Sequence, residues 1–338
     1  MKKIYPLRET HKMLNTTRFR LKPLLQYTPW VVLYAILLTL YTINYQYNNL
    51  EISNTEETIN LLDPEYSNIL DGCYHVYLDV GSNLGIQVRK LFEPFKYPKA
   101  KIQKYFDIVF GNETVRNEQL EGNDSYMCAV GFEPNSKLSS YLKEVESAYH
   151  KCGWRVKFLT ETAVSDHYES AQFYTDGEYH KYEWGGGILP NSVVRTAKQD
   201  SINGNYAKVN VIRLSDFLKH VVGKRRIPKI ANTSSHIRHK PPRVVMKMDI
   251  EGSEMEVIPD LLFSGGLEHV NILMMEWHDF IQIKEERKKA TWILKSIIES
   301  MGNYSTIMED ELREKHKFRL LNIDDETYYR TKLDLPNC

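Results

Sequence analysis

The 338-residue chain predicts an α/β fold with a mostly parallel sheet covered by helices on both faces, preceded by one N-terminal transmembrane helix. Three observations carry this. From about residue 75 onward, short β-rich runs alternate with segments of helical spacing, the pattern of βαβ units. Several of those runs end in acids and glycines, and in such sheets ligands bind beyond the carboxyl ends of the strands. Finally, Tyr27–Tyr45 contains no charged residue and is just long enough for the ~20 apolar residues that span a bilayer.

The first 22 residues hold Lys2, Lys3, Arg8, Lys12, Arg18, Arg20 and Lys22 against Glu9 alone. After the apolar run come Glu51, Glu56, Glu57, Asp63 and Glu65, with no Lys or Arg before Arg89. Basic flanks favour the cytosolic side, so the body of the chain is expected in a lumen, with the membrane as a partner. The division is a basic tail (1–26), an anchor (27–45), a polar stem (46–73), a domain (74–324) and a C-terminal tail (325–338). A cleaved signal peptide would be followed by small residues, but Asn-Tyr-Gln-Tyr follows here. A buried soluble helix is the other rival. Lys plus Arg equals Asp plus Glu at 44 each, so net charge points to no nucleic-acid partner.

The four cysteines, Cys73, Cys128, Cys152 and Cys338, all follow the anchor. An oxidising lumen favours at least one disulfide, but the pairing stays open among three arrangements. Sequons at Asn112, Asn123, Asn232 and Asn303 are compatible with a secretory-pathway glycoprotein of the Golgi or endoplasmic reticulum.

Along the domain, HVYLDV (75–80), YMCAVGFEP (126–134), WRVKFLT (154–160), AKVNVIRL (207–214), RVVMKMDIEG (243–252) and NILMMEWH (271–278) read as strands. Segments 84–92, 136–150, the SDFLKHVV run, SEMEVIPDLL and 285–302 read as helices, and weaker strands are expected near 304–308 and 317–323. Residues 93–125 read as an inserted loop, 161–205 as irregular, and 223–242 as a basic surface loop.

Four strand ends carry chemistry. In LDVGSNLG, Gly81 permits the turn and Gly85 a close approach to the sheet or a ligand. Asp79 would repel a phosphate, so the turn suits a cationic or neutral polar ligand. In VGFEPN, Glu133 is placed to accept both hydroxyls of a ribose; a helix-start acid is the structural alternative. In MKMDIEGSE, Asp249 and Glu251 could orient a substrate, hold a divalent metal or take a proton; solvated acids before a helix capped by Ser253 are the plainer reading. In MMEWHD, Glu276 and His278 close the next strand, and histidine suits proton transfer near neutrality, although a structural histidine reads equally from the residue alone.

Taken in order, LDVGSNLG, VGFEPN, TAVSD (162–166), VVMKMDIEGSE and MEWH resemble the FkbM-type S-adenosylmethionine-dependent methyltransferases from about Tyr74 to Asp324, with the anchored form similar to an animal branch. The resemblance implies a class I, Rossmann-like, seven-stranded sheet whose last strand is antiparallel. It implies S-adenosyl-L-methionine as cofactor and O-methylation of a hydroxyl on a glycan or small molecule. By position, Asp79, Gly81, Asn83 and Gly85 would line the amino-acid end of the cofactor, Glu133 the ribose, and Ala163 and Val164 the adenine. Asp249, Glu251, Glu276 and His278 would form the catalytic set, with His278 or Asp249 as base. Asp249, Glu251 and Glu276 could converge on a divalent metal, but the sequence does not commit to one. Tyr182 and Trp184 beside WGGG could stack on a sugar or equally be core residues of an irregular loop, and Lys224-Arg225-Arg226 reads most simply as solvated surface but could attract an acidic glycan. A lumenal glycosyltransferase using a nucleotide sugar fits the same anchor and stem, with Asp249-Ile-Glu251 mimicking its acidic motif. A non-catalytic binding protein on the same fold is the third reading.

Overall fold

The computed structural model describes residues 66–120, 126–174, 186–188, 206–228, 241–278, 296, 319–323, 325 and 334–337. The anchor, most of the stem, Tyr182, Trp184, the 285–302 helix, the 304–308 strand and the sequons at Asn123, Asn232 and Asn303 fall outside them. Among the described residues no helix is long and apolar enough to cross a membrane.

The sheet is built from β1 (His75–Val80), β2 (Met127–Glu133), β3 (Arg155–Thr160), β7 (Val244–Met248), β8 (Ile272–Met275) and β9 (Arg319–Asn322). Its order is β3-β2-β1-β7-β8-β9, and every described pair is parallel. The chain winds outward from β1 to β3 and later from β7 to β9, so the switch point lies between β1 and β7. Among the described residues six of the expected seven strands are present and none is antiparallel in this sheet. β9 runs parallel to β8, with Leu273 opposite Leu320, and the chain between them is long enough for the crossover that a parallel pair needs.

Alternation along the buried strands feeds two cores. Val76, Leu78, Val80, Met246 and Met248 pack with α5 (Leu214–Phe217) and α6 (Glu254–Phe263) on one face. Tyr77, Met127, Ala129 and Val245 pack on the other with α1 (Ile86–Phe92), α2 (Gln103–Phe110) and α4 (Ser139–Lys151). The segment read as an inserted loop is therefore helical in part, holding α2 and α3 (Glu113–Leu120). Ile102, Phe106, Val109 and Phe110 bury themselves at helical spacing.

A second, three-stranded sheet has the order β4-β6-β5, from β4 (Thr162–Ser165), β5 (Glu169–Tyr174) and β6 (Tyr206–Arg213). It corrects the irregular reading of 161–205 over its first part. Gly187 bridges Tyr174, and a Cβ on Gly186 would lie 2.6 Å from the Phe173 ring. Of the three WGGG glycines, Gly186 thus serves close packing and Gly187 pairs with Tyr174.

The domain edges also shift. Leu70 and Cys73, assigned to the stem, are buried, and Cys73 is disulfide-bonded to Cys128, with Cα atoms 5.8 Å apart. Arg225 donates to the carbonyls of Cys73 and Val222, and Arg226 pairs with Asp71 at 2.6 Å. Those two arginines fasten the domain's entry, while the Arg226 side chain stays largely exposed. At the other end, buried Asp325 accepts from the Ile102 amide at 3.1 Å and pairs with Lys90. The domain therefore continues past Asp324.

Candidate active site

The functional side chains gather at the switch point. Gly81, Asn83 and Gly85 all have positive φ, at 90°, 47° and 70°. The turn is held from both sides: the amides of Gly81 and Ser82 donate to the Phe132 carbonyl, and the Asp249 amide donates to Val80. A Cβ on Gly81 would lie 1.8 Å from the Asp249 carbonyl oxygen, so this glycine lets two strand ends meet. Gly85 serves the close approach to the sheet. It lies outside the cleft lining, and its missing side chain leaves room for Phe158 and Leu142.

Glu133 ties the second strand end to the first. One carboxylate oxygen accepts from the Asn83 amide at 2.5 Å and the other from the Asn135 amide at 2.8 Å. Each oxygen keeps a further lone pair for a ligand hydroxyl. The cleft beyond opens to solvent and is lined by Gly81, Asn83, Phe132 and Glu133 at the two strand ends. Ala163 and Val164 line it as expected, and so do Phe173 and Ile188, which the sequence reading left out.

The acids after β7 and β8 converge on one histidine. His278 is 5% exposed. Its Nδ1–H donates to Glu254 Oε1 at 3.0 Å. Its Nε2 lies 3.6 Å from Asp249 Oδ1, 3.7 Å from Glu251 Oε2 and 3.8 Å from Glu276 Oε1. Glu254 also accepts from the Ile250 and Gly252 amides, while Ser253, the expected cap, makes no such bond. On the far side of the acids, buried Lys247 reaches Asp249 Oδ2 at 2.6 Å and Glu276 Oε2 at 3.8 Å.

A family model of the methyltransferase FkbM domain matches residues 113–320. The chain belongs to the FkbM methyltransferase family. No curated protein and no solved structure matches it. The match covers Glu133, Asp249, Glu251, Glu276 and His278 and begins after the LDVGSNLG turn. FkbM membership makes the chain a methyltransferase by family and displaces the nucleotide-sugar glycosyltransferase alternative.

Charge sorts the acids of this FkbM site. Asp79 is fully buried, and neither carboxylate oxygen has a hydrogen-bond partner. Burial lifts it to about 7 against the pull of Lys247. Burial likewise lifts Glu133 to about 7, against its two backbone donors, and Glu251 to about 8, against His278. Burial also pushes Asp249 up, but Lys247 and His278 outweigh it and hold it below its ordinary value. His278 is pulled down by burial and raised further by Glu254, Glu251 and Asp249, to about 10. In the ligand-free site these carboxylates favour the imidazolium near neutral pH, so His278 must shed a proton before it can act as the base expected from sequence.

These shifts set a pH dependence. Folded Asp79 and Glu133 keep protons that the unfolded chain releases near pH 4, so folded stability falls as pH rises from about 4 to about 7. Thermal unfolding of the ligand-free chain is expected at lower temperature near pH 8 than near pH 5.5. Asp79→Asn, which cannot ionise, should flatten part of that slope.

Proposed function

We propose that this FkbM methyltransferase uses S-adenosyl-L-methionine to methylate a hydroxyl of a glycan or small molecule in the secretory-pathway lumen. The observation that carries the reading is Asp79: a buried carboxylate without a hydrogen-bond partner, two residues before a turn that lines the cleft. Unpaired buried charge is unfavourable, and a ligand with a free ammonium and a sulfonium would relieve it. The donors and acceptors present fit the group. The Gly81–Asn83 turn, with Asp79 buried behind it, would hold its amino-acid end, Glu133 its ribose, and Ala163, Val164, Phe173 and Ile188 its adenine.

When bound, adenosylmethionine supplies an electrophilic methyl group on a sulfonium. The chain must then orient an acceptor hydroxyl and remove its proton. Glu251 is best matched to that task, lying in the cleft with an affinity for protons close to neutrality. Its backbone φ of 52° sets the carboxylate where a helix-start acid would not lie. Asp249 and Glu276, held by Lys247, give the acceptor side a fixed negative wall.

The basic N-terminus, the uncharged Tyr27–Tyr45 run and the Cys73–Cys128 disulfide support a type II single-pass protein of the Golgi or endoplasmic reticulum. The test is transfer of labelled methyl from adenosylmethionine to a panel of polyols, glycans and acidic sugars. Label that survives mild alkali is a methyl ether and supports hydroxyl transfer. Label lost to alkali is a methyl ester and contradicts it.

A further inference from the structure

We propose that Asp249, Glu276 and His278 hold a divalent cation beside the acceptor end of the cleft. One ligand atom from each lies within 4.8 Å of the others, and His278 Nε2 is 3.6 Å from Asp249 Oδ1 and 3.8 Å from Glu276 Oε1. Atoms bound about 2.0–2.2 Å from one ion stand roughly 3.0–3.6 Å apart, so His278 Nε2 already lies near ligand spacing from both carboxylates, and an ion would draw the two carboxylates together.

The surroundings of each ligand point the same way. His278 gives its Nδ1–H to Glu254, whose two oxygens are themselves fixed by the Ile250 and Gly252 amides. That is the carboxylate–imidazole support that orients a metal-binding histidine, and an ion would take the place of the Nε2 proton between His278 and the two carboxylates. Lys247 takes the Oδ2 of Asp249 and approaches the Oε2 of Glu276, so the Oδ1 and Oε1 atoms face His278. Asp249 and Glu276 are each about one quarter exposed, at 26% and 24%, and both line the cleft. The ion's remaining positions would therefore open toward the acceptor. One imidazole with two carboxylates suits manganese, iron or zinc better than calcium.

This deepens the methyltransferase reading and depends on it only for what the ion does. A cation here would bind the acceptor hydroxyl and make its proton easier to remove. Glu251, 3.7 Å from His278 Nε2, would take that proton. The acceptor class that follows is a neutral hydroxyl, one whose proton needs such help to leave.

The test uses the full chain stripped with chelator and titrated with Mn²⁺, followed by electron paramagnetic resonance. S-adenosylhomocysteine binding is measured by calorimetry on the same samples. One Mn²⁺ per chain is expected. His278→Gln and Glu276→Gln should each weaken it at least tenfold, and Glu254→Gln by about 10–100-fold, while S-adenosylhomocysteine binding persists in all three and shows that they are folded. A folded, S-adenosylhomocysteine-binding chain that takes no Mn²⁺ would overturn the site, leaving His278 as a plain imidazolium. Mn²⁺ binding unchanged in the folded variants would overturn it equally. Mn²⁺ binding that the variants weaken, with no S-adenosylhomocysteine binding in the wild type, would support the ion site and count against the cofactor reading.

Discussion

Glu251→Gln is expected to slow methyl transfer by about 10²–10⁴-fold, the usual contribution of a positioned general base. Glutamine keeps the size and the hydrogen-bonding oxygen but cannot accept the proton. The position is unusual on two counts. Its φ of 52° departs from what a non-glycine residue prefers, and burial with Asp249, Glu254 and Glu276 nearby raises its proton affinity to about 8. Glu133 and the Gly81 turn are untouched, so S-adenosylhomocysteine should bind the variant as it binds the wild type. Single-turnover transfer measured across pH separates the effects. With no divalent ion bound, the wild-type rate should rise toward about pH 8, and the variant should lose that rise. A variant with wild-type rates would move the proton to Asp249.

Lys247→Met should give the largest loss of stability. Lys247 is 2% exposed and lies between Asp249 and Glu276. Removing one member of a buried ion pair strands the other, which typically costs about 3–5 kcal/mol. Because Asp249 is 26% exposed at the cleft, the lower end applies, about 3 kcal/mol. For a domain of this size that corresponds to a fall of about 6–12 °C in Tm. Adding Asp249→Asn removes the stranded charge and should recover much of the loss. Thermal unfolding of both variants checks this. No shift in the single variant would mean that the lysine balances nothing.

Much of the fold was legible because buried parallel strands are apolar runs and their ends are marked by acids. β1 occupies the HVYLDV run at 75–80, and Asp249, Glu276 and His278, spread over thirty residues of sequence, do meet. Three kinds of feature were hidden. Lys247 sits inside VVMKM, where one cation among apolar neighbours reads as strand filling. Its signal was its own cost, since an unpaired lysine would not be buried there. Glu254 looks like an ordinary acid at a helix start, and only the tertiary fold shows it under His278. β5 has one buried side chain among its six, so it lacks the apolar run that revealed the other strands. The α2 helix was legible and missed: its apolar residues follow the 3.6-residue period, but Pro94, Pro98 and the neighbouring lysines drew attention to the loop.

The chemistry rests on one cofactor. Glu133 is the residue whose loss should reveal it, because its oxygens meet the Asn83 and Asn135 amides at the cleft. The decisive measurement is calorimetric titration of the full chain with S-adenosylhomocysteine near pH 7.5, beside Glu133→Ala. The site described here predicts saturable binding that the variant weakens at least tenfold. A folded wild-type chain that releases no binding heat at any temperature tried, or a variant that binds as tightly as the wild type, would contradict it.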